Sequence, residues 1–516
     1  MRDTDLRSSG LTCARRWAVA ASASLAACGG GSGGPGVSSA PEALQSVTAT
    51  PQSCSPNNPY RFDATATTTS GNLSSEKAWL RDYFERQYLW FNEVPGVDPA
   101  LAPFSNEGDV YGSLDTYFDA LRTPALTPSG QRKDRFSFTY PTRAWDDLIN
   151  GGTLMGYGIE WYLTSPQRPP RGIRVAFVHG GSHAAAQGLR RGDTLLSVDG
   201  VSADDTSQSG VDALNEALFP ANSAPHHFVF MRQGAAVSRT LSANNVALDA
   251  VPVAKVITVG TQQIGYILFN DHIQTAEQPL VAAFTQLRDA GVSDLVLDLR
   301  YNGGGYLYLA SEVAYMIAGP QRTSGKVFER LVLNAKRSGE NSTTPFLATS
   351  RNGATLPTLN LGRVYVLTSS GTCSASEAII NGLRGIDVDV RLIGAKTCGK
   401  PYGFYGQDNC GVSYFATEFQ GENAKGYADY ADGFIPGNPN QGANHIPGCA
   451  ATDDFERALG DPTEGQLAAV LYLQANGSCP ALATGRAGPL AAQPQRIGTL
   501  LRHEARRNRY LVAPRQ

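Results

Sequence analysis

Apolar positions recur with a helical period in the first patterned part of the chain. Between Trp79 and Leu89 they return about every 3.6 residues, which predicts one buried helical face. The same spacing predicts a second helix over Leu114–Leu121. We therefore predict a small N-terminal helical domain over residues 74–148.

Short β-type runs replace the helical pattern over residues 149–250. Gly and Asp turns separate these runs, and a short helix is predicted over Ala184–Leu189. The predicted strands are Ile173–Val178, Thr194–Val198 and His227–Met231. A second, sheet-based domain is therefore expected here.

Strand and helix patterns alternate over residues 251–480. The predicted strands are Ile264–Phe269, Leu295–Leu299, Arg363–Thr368 and Val390–Ile393. The predicted helices are Ala276–Ala290, Tyr306–Ile317 and Ala375–Leu383. This alternation favours an α/β core with a partly parallel sheet. In such folds the active site lies beyond the carboxyl ends of the strands.

The two ends of the chain differ from the patterned part. A basic start and the short apolar run Trp17–Leu25 are typical of a signal peptide, here over residues 1–27. The sequence Leu25-Ala26-Ala27-Cys28 resembles a bacterial lipobox, so Cys28 is predicted to carry lipid. Ordinary cleavage, with Cys28 a spare thiol, is the alternative. Residues 28–73 are predicted to be a flexible tether and the basic residues 481–516 a solvated tail.

Lipidation would place the protein in the bacterial cell envelope, at the periplasmic face of the outer membrane. The net charge of -3 argues against a nucleic-acid partner. Six cysteines remain after the signal and Cys28, and an even number in an oxidising compartment predicts disulfides. Several pairings are open, and the preferred one joins Cys398 to Cys410 around Lys400. Metal binding is disfavoured because no Cys-x-x-Cys spacing occurs.

A candidate nucleophile, Ser374, follows a predicted strand and begins a predicted helix, with Glu377 three residues later. This spacing is typical of a capping box, so the alternative to a catalytic role is that Ser374 only caps the helix. The same position suits catalysis, because a helix N-terminus presents N–H groups where an oxyanion would form.

Two other loops carry residues that could act together with Ser374. The glycine cluster Asn302-Gly-Gly-Gly305 follows a buried strand and lacks the Gly-Lys-Ser/Thr ending of a phosphate-binding loop. Lys400 follows Gly399 after another predicted strand. A lysine acts as a general base only when burial or neighbouring charge lowers its pKa, and an isolated lysine is usually a solvated surface charge.

The order of these motifs resembles the C-terminal processing (tail-specific) peptidase family. The resemblance rests on Asp-Leu-Arg-x-Asn-x-Gly-Gly at 298–305, Ser-Ala-Ser-Glu at 374–377 and Gly-Lys at 399–400, preceded by PDZ-like glycine turns. It implies a PDZ domain over 149–250 and a ClpP/crotonase-like α/β protease core over 251–480. The expected activity is that of a serine endopeptidase acting on proteins or peptides with a free C-terminus.

The resemblance also implies residue roles. Ser374 would be the nucleophile and Lys400 the general base, and the N–H groups of Ala375 and Gly304 would hold the oxyanion. The substrate's C-terminal carboxylate would bind at a glycine motif formed by Gly156, Tyr157, Gly158 and Ile159. No metal or organic cofactor is implied.

One departure from the family pattern concerns the lysine. Phe404 stands where many members have a glutamine that positions the lysine, and Gln407 or Glu377 could replace it. Lys396 is the alternative base, and His272 is expected to be structural or on the surface. A non-catalytic peptide-binding PDZ lipoprotein therefore stays open as a rival. Another serine hydrolase, with a His base near Ser374, is the third reading.

Overall fold

The computed structural model describes residues 49–165, 169–481 and 509–511, the last range by its backbone. The predicted signal peptide, Cys28 and the first part of the predicted tether lie outside the described residues. In the described part, no helix is both long enough and apolar enough to cross a bilayer.

The N-terminal elements share a core with a later part of the chain. They are β1 (Ser53–Cys54), β2 (Thr69–Ser70), α1 (Leu73–Gln87), α2 (Val110–Leu121), β3 (Phe138–Pro141) and α3 (Thr142–Ile149). Trp79 and Phe118, on the two predicted helices, both pack against the ring of Tyr414. β3 pairs antiparallel with Val412–Phe415. These helices therefore lie against the core that follows them.

Residues 49–73 are fixed in place, so the prediction of a flexible tether is wrong for this part. A disulfide joins Cys54 to Cys410. The Gln52 N–H donates to Asn409 Oδ1 (2.7 Å), and Gln52 Oε1 accepts from the Cys410 N–H (2.9 Å). The polar residues that suggested a linker instead form hydrogen bonds to the core.

A six-stranded sheet dominates the middle of the chain, where the three predicted strands are present. The elements are β4 (Thr153–Gly156), β5 (Ile159–Leu163), β6 (Ile173–Val178), α4 (His183–Ala186), β7 (Thr194–Val198), β8 (Val201–Ser202), α5 (Gln208–Leu218), β9 (Pro225–Arg232), β10 (Ala235–Ser242) and β11 (Asn244–Ala247). The strand order is β10-β9-β7-β6-β5, with β8 on β7, so β5 is an end strand. Apolar residues of α5 pack on the sheet.

The remaining elements form the mixed α/β core that the alternating pattern predicts. The strands are β12 (Val253–Val259), β13 (Gln262–Leu268), β14 (Asp294–Asp298), β15 (Gly304–Tyr306), β16 (Val327–Leu333), β17 (Ser342–Pro345), β18 (Arg363–Thr368), β19 (Asp389–Gly394), β20 (Tyr402–Gly403), β21 (Gln407–Asn409), β22 (Val412–Phe415), β23 (Phe419–Glu422), β24 (Ile435–Gly437), β25 (His445–Ala450) and β26 (Arg509–Leu511). The helices are α6 (Glu277–Asp289), α7 (Leu307–Ala318), α8 (Pro320–Thr323), α9 (Ala375–Gly385) and α10 (Gly465–Asn476).

The main sheet has the order β12-β13-β14-β18-β19-β25-β24 and is parallel except for β12. Leu295 and Leu297 of β14 belong to the same apolar cluster as α7 and α9, whereas Val296 packs with α10. Alternate side chains of β14 therefore pack against helices on opposite faces of the sheet. Because β14 and β18 are neighbours, the glycine loop and the Ser374 loop leave the same edge of the sheet side by side.

A buried polar network connects the six-stranded sheet of the middle segment (the middle sheet) to the loop that follows β14 of the main sheet. Arg300 is fully buried and forms ion pairs with Asp298, Asp453 and Glu464. Arg191, between β6 and β7, donates to Tyr301 Oη (2.6 Å) and to Asp453 Oδ1 (2.5 Å). The loop that follows β14 is thus held by residues from three parts of the chain.

Candidate active site

Ser374 lies at the junction between the loop after β18 and the start of α9. Its backbone has φ 63° and ψ -117°, a left-handed conformation that a residue with a Cβ rarely adopts. Such strain persists only where the surroundings enforce it, and it concentrates at functional sites. The side chain is fully buried, and its Oγ has no hydrogen-bond partner among the described residues.

The carboxylate of Glu377 connects the Ser374 loop to the Lys400 loop. Oε2 accepts from the N–H groups of Ser374 (3.0 Å) and Lys400 (2.8 Å). Oε1 accepts from the Gly399 N–H (2.9 Å) and from Thr397 Oγ1 (2.5 Å). Burial raises the pKa of Glu377, and these four donors oppose that rise. One side chain therefore sets the relative position of the candidate nucleophile and base.

A disulfide joins the same two loops. Cys373 pairs with Cys398, with their Cα atoms 5.2 Å apart, so the predicted pairing of Cys398 with Cys410 is wrong. The β21–β22 hairpin carries Cys410 to the N-terminal segment, where it pairs with Cys54. The third disulfide joins Cys449 to Cys479, so the six cysteines of the described chain are paired, as expected for an oxidising compartment.

Lys400 is fully buried, which is unusual for a lysine. Its Nζ lies 4.0 Å from the centre of the Phe404 ring and 5.4 Å from that of Phe136. Phe404 thus packs on the amine where many family members would place a glutamine. The alternative base, Lys396, is exposed, and Gln407 lies in the β21–β22 hairpin, opposite Tyr414.

Gly399 allows the chain to turn before Lys400. Its φ is +85°, and a Cβ there would lie 2.4 Å from the carbonyl oxygen of Ala431. Arg135 holds the same turn, because its Nη2 donates to the carbonyl oxygens of Cys398 (3.1 Å), Gly399 (3.2 Å) and Ala431 (2.9 Å). No motif in the sequence marks Arg135, and only the tertiary structure reveals its contact with this loop.

The glycine loop adjoins the Ser374 loop through Asn302. The Asn302 carbonyl accepts from the Cys373 N–H (3.1 Å) and from Ser376 Oγ (3.0 Å). Its Oδ1 accepts from the Gly304 N–H (3.0 Å) and lies 2.9 Å from Nδ1 of the buried His272. The Gly304 N–H would therefore have to leave Asn302 before it could hold an oxyanion. The roles of Gly304 and Ala375 stay predictions.

The glycine motif of the middle sheet lines a cavity that reaches the core. Gly156 ends β4, Gly158 has φ +81° and Ile159 begins β5. Tyr157 is buried and donates through Oη to the Ala217 carbonyl oxygen on α5 (2.9 Å). The opposite wall is formed by core residues that include Tyr301, Gly303 and residues 369–371, on the loop leading to Ser374.

Comparisons with known proteins match the part of the chain that carries this site. The model of peptidase family S41 matches residues 263–403, a range that contains Ser374, Glu377 and Lys400. The chloroplastic C-terminal processing peptidase of Tetradesmus obliquus is 29% identical over 265 residues, which cover 48% of this chain and 52% of that protein. The carboxyl-terminal-processing protease of Synechocystis sp. is 27% identical over 326 residues, covering 63% of this chain and 68% of the relative.

A solved structure has a similar fold. This neighbour, assigned as an S41 protease from Bacteroides fragilis, is 21% identical in sequence to the present chain. The two superpose with a TM-score of 0.54 over 78% of the present chain and 97% of the neighbour. The chain spans about half the length of the algal relative and about two thirds of the cyanobacterial one. Residues 263–403 are thus similar to peptidase family S41, and longer stretches of the chain are similar to C-terminal processing proteases. The matched segment supports a serine-type peptidase domain.

Proposed function

We propose that this protein is a serine endopeptidase that uses a Ser374–Lys400 dyad. The observation that carries the proposal is the Glu377 carboxylate, which accepts hydrogen bonds from the backbone of both residues. A helix cap alone would not need a second loop bound to the same carboxylate. The strained backbone of Ser374 and the full burial of Lys400 support the same assignment.

In the proposed reaction Ser374 Oγ attacks the scissile carbonyl carbon, and Lys400 Nζ takes the hydroxyl proton. The tetrahedral intermediate collapses to an acyl-enzyme while Lys400 returns the proton to the leaving amine. Lys400 then deprotonates water, which attacks the ester. Lys400 returns this proton to Ser374 Oγ as the ester bond breaks and the second product leaves. Because Ser374 Oγ has no hydrogen-bond partner among the described residues, the active conformation requires the two side chains to approach each other.

Substrate selection is assigned to the middle sheet, which we propose acts as a PDZ domain. Its end strand β5 and helix α5 would receive the substrate's C-terminal residues by strand addition, with the carboxylate at the Gly156–Ile159 turn. The shared cavity gives a bound chain a route from this turn towards the loop before Ser374. We further propose that lipid on Cys28 anchors the enzyme at the periplasmic face of the bacterial outer membrane.

The decisive experiment compares wild type with Ser374→Ala and Lys400→Met on an unfolded protein that has an apolar C-terminus. Both variants should lose cleavage while keeping the wild-type melting temperature. Lys396→Met is the matched control, because this nearby lysine is exposed, and it should cleave at the wild-type rate.

The rival function, a peptide-binding lipoprotein without catalysis, makes the opposite prediction. Wild type would then bind the same substrate without cleaving it, and Ser374→Ala would bind with unchanged affinity. Cleavage that survives in both dyad variants would contradict our assignment of the catalytic residues.

A further inference from the structure

The C-terminal strand β26 pairs with the glycine loop of the candidate active site. It runs parallel to β15, with Arg509 opposite Gly304, Tyr510 opposite Gly305 and Leu511 opposite Tyr306. This part of the predicted solvated tail is therefore a strand in the structure, which corrects the expectation for residues 509–511.

The backbone of β15 is suited to bind an extended chain. On one edge, the Gly304 carbonyl accepts from the His272 N–H (3.3 Å), and the Tyr306 N–H donates to the His272 carbonyl (2.9 Å). Alternate residues of a strand direct their backbone groups to opposite edges, so the N–H and C=O of Gly305 face β26. A Cβ on Gly305 would lie 2.3 Å from the His272 carbonyl oxygen, so this position requires glycine.

The same segment also approaches the elements that carry the dyad. β26 contacts α9, which begins directly after Ser374, and β20, which begins two residues after Lys400. Three elements thus surround it: the glycine loop, the nucleophile helix and the strand after the candidate base. Ser374 and Lys400 are both fully buried in this arrangement.

Backbone pairing of this kind is the means by which a sheet edge accepts peptides of varied sequence. An extended substrate that reached Ser374 would meet the same Gly305 edge. We propose that the edge of β15 is the binding site for the substrate main chain, and that Arg509–Leu511 of the same chain occupies it as an intramolecular inhibitor. The proposal rests on the peptidase function proposed above, since inhibition presupposes a peptidase.

The test uses the full mature chain, a chain ending at Ala481, and the full-length variant Leu511→Pro, because in this parallel register the Leu511 N–H is the group that faces the Gly305 carbonyl. The shorter chain retains α10 and the Cys449–Cys479 disulfide. Proline removes a backbone donor from β26 without removing the tail. Deletion of residues 512–516 alone, which leaves β26 intact, is the matched control.

Removal of the strand should raise kcat/KM for a short fluorogenic peptide. A tethered segment has an effective concentration near the millimolar range, so a segment of modest intrinsic affinity would give about a tenfold increase. Leu511→Pro should give an increase of the same sign, and the 512–516 deletion none. A synthetic peptide of residues 505–516 should inhibit the shortened chain competitively.

Amide hydrogen exchange at residues 304–306 gives a readout that does not need activity. Exchange at Gly305 should be faster in the shortened chain and in Leu511→Pro than in wild type. Equal kcat/KM and equal exchange in all forms would overturn the inhibitor proposal while leaving the peptidase intact. If no form cleaves any substrate, the peptidase proposal fails, and the inhibitory role fails with it. Hydrogen exchange then still shows whether Arg509–Leu511 occupies the edge of β15.

Discussion

Glu377→Gln tests whether one buried carboxylate holds the two halves of the site together. The substitution preserves size and shape, but an amide offers one oxygen where the carboxylate offers two. Each carboxylate oxygen accepts two hydrogen bonds, so two donors would face the new NH2 group. A buried donor left unsatisfied costs about 1–3 kcal/mol, so the free energy of unfolding should fall by about 2–6 kcal/mol.

The substitution should impair catalysis as well as folding. If Lys400 moves by about 1 Å relative to Ser374, kcat should fall by about 100-fold. KM should change little, because the proposed peptide-binding turn at Gly156–Ile159 is untouched. The assay is steady-state cleavage of an unfolded protein at a temperature where urea titration shows the variant to be folded.

Glu312→Gln is the matched control for this experiment. Burial and the nearby Glu277 raise the pKa of Glu312 to about 9, so Glu312 is protonated at neutral pH and a neutral amide replaces it closely. This variant should keep the wild-type kcat. A Glu377→Gln enzyme that retained kcat within about threefold of wild type would refute the positioning role.

Three further predictions test the structure. Gly399→Ala should reduce stability and kcat together, because a Cβ would lie 2.4 Å from the Ala431 carbonyl oxygen; thermal unfolding and cleavage rates measure both, and an unchanged enzyme would contradict the turn. The double substitution Cys54→Ser with Cys410→Ser should lower the free energy of unfolding by about 5 kcal/mol, since the disulfide closes a separation of 356 residues. Urea titration measures this loss. A loss of under about 1 kcal/mol would show that other contacts hold the N-terminal segment. Glu312 keeps its proton up to a pKa of about 9 when folded but ionises near its usual 4.5 when unfolded, so its contribution to stability is lost as pH rises between these values. In urea titrations from pH 6 to 8, Glu312 should make the free energy of unfolding of wild type fall by about 1.4 kcal/mol more per pH unit than that of Glu312→Gln. Parallel pH dependences in the two proteins would argue against a buried, protonated Glu312.

Periodicity along the chain predicted most of the core elements. Arg363–Thr368 has the predicted bounds, and Ala375–Leu383 lies within α9. Buried strands and amphipathic helices carry their signal in neighbouring residues, so local sequence is enough to find them. The candidate pair Ser374 and Lys400 was found differently, through the order of short motifs that the family shares.

Contacts between distant parts of the chain could not be predicted in this way. The pairing of Cys410 with Cys54, the Arg135 contact with the Lys400 loop and the strand at Arg509–Leu511 all join segments far apart in sequence. Their partners are chosen by which surfaces meet once the sheet has formed, and no local period records that choice.

The sequence by itself determined the alternating core and the candidate nucleophile and base, and it predicts an exported chain with paired cysteines. Only the tertiary structure decided how the nucleophile and base are held. The glutamine expected beside Lys400 is replaced by the ring of Phe404, and the loop of Lys400 is tied instead to the Glu377 carboxylate. Glu377 follows Ser374 by three residues and looks locally like a helix cap. Its second role exists because parallel β18 and β19 bring both loops to the same edge of the sheet.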